Sequence, residues 1–430
     1  MKRKIRIASA LAIVASTALL ATGCSGGGST AADGKVTMTF WDNSTTGPGK
    51  AFWLKTIADF EKANPNVTIT LQTVQNEDLD GKLQTALNSG SAPDIFLQRG
   101  GGKMNAMADA GQLMDITDSI DSATKAAVSD GVLKGNSYQG KIYAMPVNVN
   151  PEGIFYSKDL FAAAGIASPP ATMDELNADI VKLKATGVAP VAVGAKDAWP
   201  AAHWYYNFAL RECSESTLEK SAALLKFTDS CWTKAGEDLK AFNDTTPFND
   251  GFLTTPAQQG AGSSAGLIAN HKAAMELMGG WDPGVIASLT PDQKPLPDLG
   301  WFPFPSIPGG AGDPSAMMGG IGGYSCSAKA PKKECTAFLN YITTKSVQEA
   351  NYKAFNAIPV NKDAQGVITD DVTTSELNAY NKTKFMAQFL DTLLGQNVGN
   401  AMNSGVVNLL AAKGSAADII NGVNQAAAKG

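Results

Sequence analysis

Alternation between two kinds of hydrophobic pattern constrains the fold more than any other feature of this sequence. Apolar and polar side chains alternate in residues 36–40 and 67–71, which is typical of half-buried strands. Residues 93–97 form a short apolar run that is typical of a buried parallel strand. Between these segments, residues 53–60 and 79–87 carry apolar side chains at helical spacing. The order strand, helix, strand, helix, strand predicts an α/β fold built on an open sheet.

The rest of the chain is long enough for a second unit with its own core. Its patterns predict an extended segment between lobes at residues 143–156, a helix at 172–186, a strand at 188–193, mostly helices at 200–275, a Pro- and Gly-rich second crossing at 295–323, a helix at 332–344 and amphipathic helices from about residue 375. We therefore expect two lobes. Lobe 1 comprises residues 36–147 and 302–345, lobe 2 comprises residues 151–300 and 346–430, and the hinges lie near residues 148–150 and 295–305.

The start of the chain indicates export. Four basic residues precede an apolar stretch from Ile7 to Leu20, which is too short to span a bilayer and has the length of a signal-peptide core. The next residues, Ala21-Thr22-Gly23-Cys24, resemble a bacterial lipobox. We expect a signal peptide at residues 1–23, a lipidated Cys24, a flexible tether at residues 24–35 and anchoring on the extracellular face of the cell membrane. Plain secretion with an incidental cysteine is the alternative.

The charge balance disfavours several partners. The chain has 35 Lys and Arg against 40 Asp and Glu, a formal net charge of −5 at pH 7, and its basic residues do not cluster beyond the first few positions. Nucleic acid and anionic membrane surfaces are therefore poor candidates. No second long apolar run follows Leu20, so we expect membrane contact only through the lipid.

Four cysteines follow Cys24, namely Cys213, Cys231, Cys326 and Cys335. An even number in an exported chain favours disulfides, and three connectivities are possible. Short loops close at lower entropic cost, which favours the pairs Cys213–Cys231 and Cys326–Cys335, with free buried thiols as the alternative. The spacings do not match paired CxxC motifs, so a zinc site is disfavoured, and we expect neither a metal nor a cofactor.

Five segments together carry a resemblance to a known family. They are FEKANPNVTIT, GSAPDIFLQ, the crossing VNVNPEGIFYSKDLF, the helix-plus-loop AAMELMGGW and SAKAPKKECTAFLNYIT, in this order behind the lipobox. The chain resembles the family 1 extracellular solute-binding proteins, the maltose-binding-like carbohydrate receptors of ABC importers, of actinobacterial type. The resemblance implies a two-lobed periplasmic-binding-protein fold of class II type, in which each lobe is an open sheet flanked by helices and crossover segments form the hinge.

The resemblance also implies a function. The expected role is capture of a di- or oligosaccharide, with a xylobiose-like sugar favoured, in a cleft that closes about the hinge. The expected partners are the sugar and ABC permease subunits, and the expected state is a monomer. A binding protein of the same fold for a non-sugar solute is the alternative. A glycoside-processing enzyme is disfavoured, because HExxH and Walker A motifs are absent from the sequence.

Trp281 and the crossing segment are the first candidates for the ligand site. By resemblance, the Trp that ends AMELMGGW stacks on a sugar ring, and Asn150 meets the sugar from the first crossing. Asn148 lies on the same side of an extended chain as Asn150. Gly322 lies in a Gly-rich segment where the backbone can approach a ligand closely. The competing interpretations are a core Trp, amides that satisfy the backbone, and tight strand packing.

The other candidates follow predicted strands. Ligands of open α/β sheets bind at the carboxyl ends of strands, which here carry polar groups able to hold hydroxyls. These candidates are Trp41, Asp42, Asn43, Gln98 and Arg99, together with Trp199 and Trp204 beyond the strand at residues 188–193. Each has a structural alternative, either loop capping or packing in a core.

Overall fold

The computed structural model describes residues 34–429. The expected signal peptide, Cys24 and nearly all of the expected tether therefore lie outside the described residues. The strands are β1 (Val36–Asp42), β2 (Val67–Thr73), β3 (Ile95–Gln98), β4 (Ser137–Tyr138), β5 (Lys141–Ile142), β6 (Met145–Ser157), β7 (Ala189–Ala192), β8 (Ala273–Gly279), β9 (Leu299–Phe302), β10 (Met317–Cys326), β11 (Ile358–Pro359) and β12 (Met386–Gln388).

The helices lie between these strands and after them. They are α1 (Gly47–Ala63), α2 (Asn76–Ser89), α3 (Gly101–Asp109), α4 (Ser122–Ala127), α5 (Asp130–Gly135), α6 (Lys158–Ala163), α7 (Met173–Ala185), α8 (Trp199–Glu212), α9 (Glu215–Leu224), α10 (Ser230–Asp244), α11 (Ser264–Ala269), α12 (Asp282–Leu289), α13 (Lys332–Ile342), α14 (Lys345–Phe355), α15 (Asp371–Lys382), α16 (Leu390–Leu393), α17 (Gln396–Leu410) and α18 (Ala416–Ala428). Short 3-10 helices occupy Thr117–Ser119, Ala195–Asp197, Phe252–Thr254 and Lys362–Val367.

One mixed sheet organises the described chain. Its strands follow the order β2-β1-β3-β10-β6-β8-β7, with β9 and β11 paired to β6 and β12 paired to β10. The long strand β6 connects the two parts of the sheet, because residues 145–151 pair with β10 and residues 152–156 pair with β8. We call β2-β1-β3-β10 the first half and β8, β7 and β9 the second half. The predicted α/β class is confirmed.

The start of the first half follows the sequence pattern closely. β1 is parallel to both β2 and β3, and its side chains alternate between buried and exposed positions. Trp53, Ile57 and Phe60, the expected apolar face of the first helix, are all buried in α1. In the second half, α7 begins at a capping box in which Thr172 and Glu175 satisfy each other's backbone N–H groups, as expected from its polar start.

Two segments form strands where the sequence indicated otherwise. Residues 143–156 were expected to be an extended segment without regular structure, but residues 145–157 form a single strand of 13 residues. Its Pro146 lies where the register with β10 shifts, a position at which the missing N–H is tolerated. The expected helix in AAMELMGGW is also wrong, because residues 273–279 form β8, which pairs with β6 and β7. A short, fully buried apolar run does not distinguish a strand from a helix by periodicity.

The strand pairing also assigns some segments to a different half of the molecule than expected. Phe302 pairs with Ile154, and Phe304 packs against Trp204, so this part of the chain belongs with the second half rather than with lobe 1. The second crossing runs along β10 instead of residues 295–305, because β10 connects the pairing with β6 to the pairing with β3. Helix α14 packs on α1 in the first half. The tail also contains two short strands, β11 and β12, beside the expected helices.

Each half has its own hydrophobic core and its own disulfide. One cluster gathers α1, α13 and the strands of the first half, and a second gathers α7, α8, α10 and α17 of the second half. Cys326–Cys335 joins the end of β10 to α13, and Cys213–Cys231 joins the end of α8 to α10. The predicted pairing is confirmed, and neither bridge restrains one half against the other.

Candidate functional site

The two asparagines of the first crossing lie at the junction of the halves. Asn148 and Asn150 fall on one face of β6, and the Asn150 Nδ2 donates to the Asn148 Oδ1 at 3.0 Å. The Asn150 Oδ1 has no hydrogen-bond partner among the described residues. Gly322 lies opposite Asn148, and a Cβ at this position would come within 2.5 Å of the Asn148 Oδ1. Gly322 therefore provides the space that the Asn148 amide occupies.

Trp281 lies beside this pair of amides. It follows β8, is half-buried, and its ring lies against Gly279 so closely that a Cβ there would be 2.2 Å from Cζ3. A Cβ at Gly280 would lie 3.4 Å from the Asn150 Cα, so the Trp281 loop adjoins the crossing strand. The half-buried Trp199 has its ring centroid 6.2 Å from that of Trp281. The structure thus brings together Trp281, Trp199, Asn148, Asn150 and Gly322.

Phe389 completes the aromatic group, and sequence reasoning missed it. Its ring centroid lies 5.7 Å from that of Trp281, and it stacks on the His203 ring at 4.5 Å with an interplanar angle of 9°. The buried Glu152 carboxyl bonds the His203 Nδ1 and also accepts from Asn207. This buried network fixes the ring on which Phe389 rests. The alternation of Phe385, Ala387 and Phe389 is a strand pattern that the expectation of a helical tail obscured.

The first half contributes a polar network at the ends of β1 and β3. The Arg99 guanidinium donates to the Asp80 Oδ1 at 3.1 Å and to the Asn76 Oδ1 at 2.8 Å, and the Asn43 amide donates to the same Asn76 oxygen at 3.1 Å. Gln388 donates to the Arg99 carbonyl at 2.8 Å and precedes Phe389 directly. Gln388 therefore connects the network with the aromatic group.

Two other strand-end candidates use their polar groups for hydrogen bonds within the protein. Asp42 is 1% exposed and accepts hydrogen bonds from the Tyr324 hydroxyl at 2.7 Å and the Ser44 N–H at 2.7 Å. Burial raises the pKa of the Asp42 carboxyl. Gln98 is 2% exposed, and its Oε1 accepts from the backbone N–H groups of Arg99 and Gly100. Both side chains shape the strand ends and offer no exposed atom.

The two remaining tryptophan candidates differ from Trp281. Trp204 is 1% exposed and stacks on Phe242 with centroids 4.9 Å apart, so the expectation of a ligand platform at Trp204 is wrong. It lies in α8, five residues after Trp199, and faces the core of the second half. Trp41 is half-buried and packs against a small cluster around Leu83 and Met104 in the first half.

The charged groups of the network at the ends of β1 and β3 neutralise each other. Arg99 and Lys103 both bind Asp80, the latter at 2.8 Å. Burial by itself would raise the pKa of the Asp80 carboxyl, but these two cations hold that pKa well below its usual value. In the described range, residues 34–429, no cluster of three or more His, Cys, Asp or Glu side chains has the arrangement of a metal site.

The two halves also touch each other away from the crossings. The Gln259 Nε2, in the loop before α11, donates to the Gln75 Oε1 at 3.0 Å and to the Glu77 Oε2 at 2.9 Å. Gln75 and Glu77 lie at the start of α2 in the first half. The candidate site therefore lies between halves that are joined by strands and also linked by side chains.

Comparison with known proteins agrees with this architecture. A family model described as bacterial extracellular solute-binding protein matches residues 42–349. The melibiose/raffinose/stachyose-binding protein MelE of Bacillus subtilis is 27% identical over 310 residues, covering 70% of this chain and 68% of that protein. The diacetylchitobiose-binding protein DasA of Streptomyces coelicolor is 26% identical over 380 residues, covering 85% of this chain and 83% of that protein. A relative from Brucella abortus is 29% identical over 193 residues, covering 45% of this chain and 46% of that protein.

Solved structures share the fold. A structure from work on xylan utilization by the thermophilic bacterium Caldanaerobius polysaccharolyticus has a TM-score of 0.82 and 27% identity, covering 90% of this chain and 99% of that one. A chitin oligosaccharide binding protein has a TM-score of 0.82 at 24% identity and covers 92% of this chain, which shows the common fold. The family model matches most of this chain, from residue 42 to residue 349. The chain therefore belongs to the bacterial extracellular solute-binding proteins.

Proposed function

We propose that the chain is the substrate-binding component of an ABC sugar importer and that it captures a short, uncharged oligosaccharide between the two halves of its sheet. The observation that carries this proposal is the half-buried Trp281 beside the amides of Asn148 and Asn150. A pyranose ring has an apolar C–H face and a polar edge, so it is bound by a flat aromatic ring together with directional hydrogen-bonding groups. Trp281 supplies the aromatic ring, and the two amides supply the hydrogen-bonding groups.

The other half of the cleft supplies further contacts in this proposal. Asn43 and Arg99 present polar groups at the ends of β1 and β3, and both are partly exposed. Trp199 and Trp41 are partly exposed aromatic surfaces on the second and first half, respectively. A ligand that contacts both halves favours their closed arrangement, which is the population shift expected of a hinged receptor.

The electrostatics favour an uncharged ligand. Arg99 is paired with Asp80, and Glu152 with His203 and Asn207, so the site offers no unpaired charge among these groups. A polyamine or a metal ion would need an unpaired acidic cage, and an organic acid would need an unpaired cation. The alternative of a charged non-sugar solute therefore has less support than a sugar.

The relatives favour an oligosaccharide. Their names refer to melibiose, raffinose and stachyose, to diacetylchitobiose and to chitin oligosaccharides, and one structure comes from work on xylan utilization. We propose a xylobiose-like disaccharide as the first ligand to test. The proposal includes ABC permease subunits as partners and a monomer as the capturing unit.

No catalytic step is part of the proposal. A glycosidase places two carboxyl groups on either side of the glycosidic bond, about 5–10 Å apart. Glu276 and Asp282 are neighbouring carboxyls next to Trp281, but they are 1% and 0% exposed and do not reach a bound sugar. The family and its relatives are solute receptors.

The proposal places the mature chain on the outer face of the cell membrane through a lipid on Cys24. Its support is the lipobox-like Ala21-Thr22-Gly23-Cys24 behind a basic and apolar leader. Across residues 34–429, the structure has no helix with the length and apolarity needed to cross a membrane.

A thermal-shift panel tests the proposed ligand class. The chain without its leader would be melted with xylobiose, chitobiose, raffinose and maltose, and with spermidine, glutamate and calcium as charged controls. A ligand at 100 times its Kd stabilises the folded state by about 2.7 kcal/mol, so the cognate sugar raises the melting temperature. Stabilisation by a charged control alone, or by none of these sugars, contradicts the proposal.

A further inference from the structure

Three carboxyl side chains are fully buried behind the Trp281 loop. Glu276 lies in β8, Asp282 begins α12 and Glu376 lies in α15, and their exposed fractions are 1%, 0% and 0%. None of their six oxygens accepts a hydrogen bond from an N–H or hydroxyl donor among the described residues. Buried carboxyl groups are normally paired or hydrogen-bonded, so an acid cluster without donors calls for a physical explanation.

The cluster is in direct contact with the loop that presents Trp281. Glu276 and Asp282 are within hydrogen-bonding reach of each other, and Asp282 also acts electrostatically on Glu376. A Cβ at Gly280 would lie 3.3 Å from the Glu376 Oε2 and 3.4 Å from the Asn150 Cα. The loop is therefore held between the acid cluster on one side and the crossing strand β6 on the other.

The surroundings supply no compensating positive charge. The Ser264 hydroxyl is close to Glu276, but it donates its proton to the Ala257 carbonyl at 3.0 Å. Asp370 acts on Glu376 from the start of α15, and its own oxygens accept from Thr373 and Tyr352. Within residues 34–429, no Lys, Arg or His reaches the three carboxyls as a hydrogen-bond donor.

Protonation explains how these groups are tolerated. An isolated carboxylate without a partner in a buried site is strongly disfavoured, and the group takes up a proton instead. Burial raises the pKa of Asp282 to about 8 and raises the pKa of both Glu276 and Glu376 well above the usual value. A proton on either Glu276 or Asp282 is also what a hydrogen bond between the two carboxyls requires.

We propose that Glu276 and Asp282 are positioning residues for ligand capture, which fix the Trp281 loop as a protonated, hydrogen-bonded pair and release it when the pair ionises. This inference rests on the proposed function, in which Trp281 stacks on the sugar. Asp282 is the residue next to Trp281 in the chain, and Glu276 is anchored in β8, which lies between β6 and β7. A change in their contact is therefore transmitted to the indole ring through one peptide bond.

The direction of the pH effect follows from linkage. The two acids titrate near pH 4 in the unfolded chain, whereas Asp282 keeps its proton to about pH 8 in the folded chain. The folded chain binds more protons within this window, so the free energy of unfolding decreases as the pH rises from about 4 to about 8. Above that window, neighbouring buried charges repel each other, the loop loses its fixed position, and sugar affinity falls.

Calorimetric titration of the mature chain with its stabilising oligosaccharide tests this inference. Wild type, Asp282→Asn and Glu276→Gln would each be titrated at about pH 6 and about pH 9, because these values bracket the ionisation of the pair. Glu212→Gln is the matched control, since Glu212 is another carboxyl whose pKa burial raises but lies outside the cluster. The expected result is an affinity decrease of about tenfold in wild type and in the control between the two pH values. Each amide variant leaves one carboxyl in the pair, so two neighbouring charges can no longer form, and each variant is expected to lose most of that decrease.

The outcomes separate this inference from the proposed function. Wild-type affinity that is equal at both pH values overturns the inference, as does an Asp282→Asn or Glu276→Gln variant that keeps the full wild-type decrease. If no sugar binds at either pH, the proposed function fails and the inference fails with it. If one amide variant does not fold, the inference is tested by the wild-type affinities at the two pH values and by the other amide variant.

Discussion

At the scale of single residues, burial divides the tryptophans near the candidate site into two classes. Trp204 is 1% exposed and packs among Phe242, Phe248 and Phe304 in the core of the second half. Trp281 is half-buried and lies in the loop next to Asn150. The same residue type therefore serves stability in one place and, in our proposal, ligand binding in the other.

Alanine substitution is expected to separate these two roles. Trp204→Ala removes a packed ring and leaves a cavity, which costs about 3–5 kcal/mol in the free energy of unfolding. Trp281→Ala is expected to cost clearly less, because Trp281 is only half-buried. Urea unfolding of both variants without ligand measures the difference, and equal losses would show that Trp281 is a core residue.

Gly322 provides a test of Asn148 that leaves Asn148 itself unchanged. In Gly322→Ala, the new Cβ would displace the Asn148 amide, whose Oδ1 would otherwise be 2.5 Å away. The displaced group is the end of a side chain, so the melting temperature is expected to change little while sugar affinity falls about tenfold.

Gly366→Ala serves as the control for this substitution, because a Cβ at Gly366 meets no atom within 4 Å. Calorimetric titration of both variants provides the comparison. Wild-type affinity in Gly322→Ala would remove Asn148 from the proposed site.

At the scale of elements, the sequence predicted the amphipathic segments and failed on the fully buried ones. β1 and α1 expose one side, and their periods of two and of three to four residues are visible in the sequence. β8 is buried at all seven positions, so no period remains to identify it as a strand. The short β12 depends on pairing with Met317–Gly319 of β10, a contact more than 60 residues away that local patterns do not contain.

The same limit applies to the candidate site. Trp281 and Asn150 were found through segments that resemble a family. Phe389 and Gln388 were missed, because their place beside Trp281 and Arg99 arises only when β12 joins the sheet. Burial likewise decides that Asp42 bonds Tyr324 and Ser44, which no spacing in the sequence reveals.

The loop before α11 links the two halves and is expected to favour their closed arrangement. In Gln259→Glu, a carboxylate replaces the amide that donates to Glu77, and the two like charges repel each other. Sugar affinity is expected to fall about three- to tenfold at low salt and to recover in part at high salt, because both groups are exposed and screened.

In the double variant Gln259→Glu with Glu77→Gln, the amide and the carboxylate exchange places, so their hydrogen bond can form again and most of the affinity is expected to return. Titrations at two salt concentrations measure both effects. A Gln259→Glu variant with wild-type affinity at low salt would show that this contact does not contribute to closure.

At the scale of the whole molecule, the two halves have separate hydrophobic cores and are connected by strands that they share. Each has its own hydrophobic cluster and its own disulfide, and strands β6 and β10 run from one to the other. In our proposal, motion about these strands changes the distance between the Arg99 network and Trp281 without breaking either core. Such motion would allow the chain to close on its ligand and to release it to a permease.

The proposed anchor is tested on the native product. Expression of the full chain in a bacterium that lipidates exported proteins is expected to give a mature N-terminus at Cys24 that carries acyl mass. Intact-mass analysis measures this directly, and Cys24→Ala provides the control, since it is expected to prevent lipid attachment and release the chain from the membrane fraction. Cleavage at another residue without acyl mass would contradict the anchor while leaving the ligand proposal unaffected.

Calorimetric titration of wild type and Trp281→Ala with the sugar that stabilises the chain most tests the central claim directly. One sugar per chain is expected to bind wild type. Loss of the stacking ring in Trp281→Ala is expected to remove about 2–4 kcal/mol of binding free energy, which corresponds to an affinity lower by about 30- to 1000-fold. Undiminished affinity in Trp281→Ala, with the variant folded, would contradict a sugar held against Trp281 between the two halves.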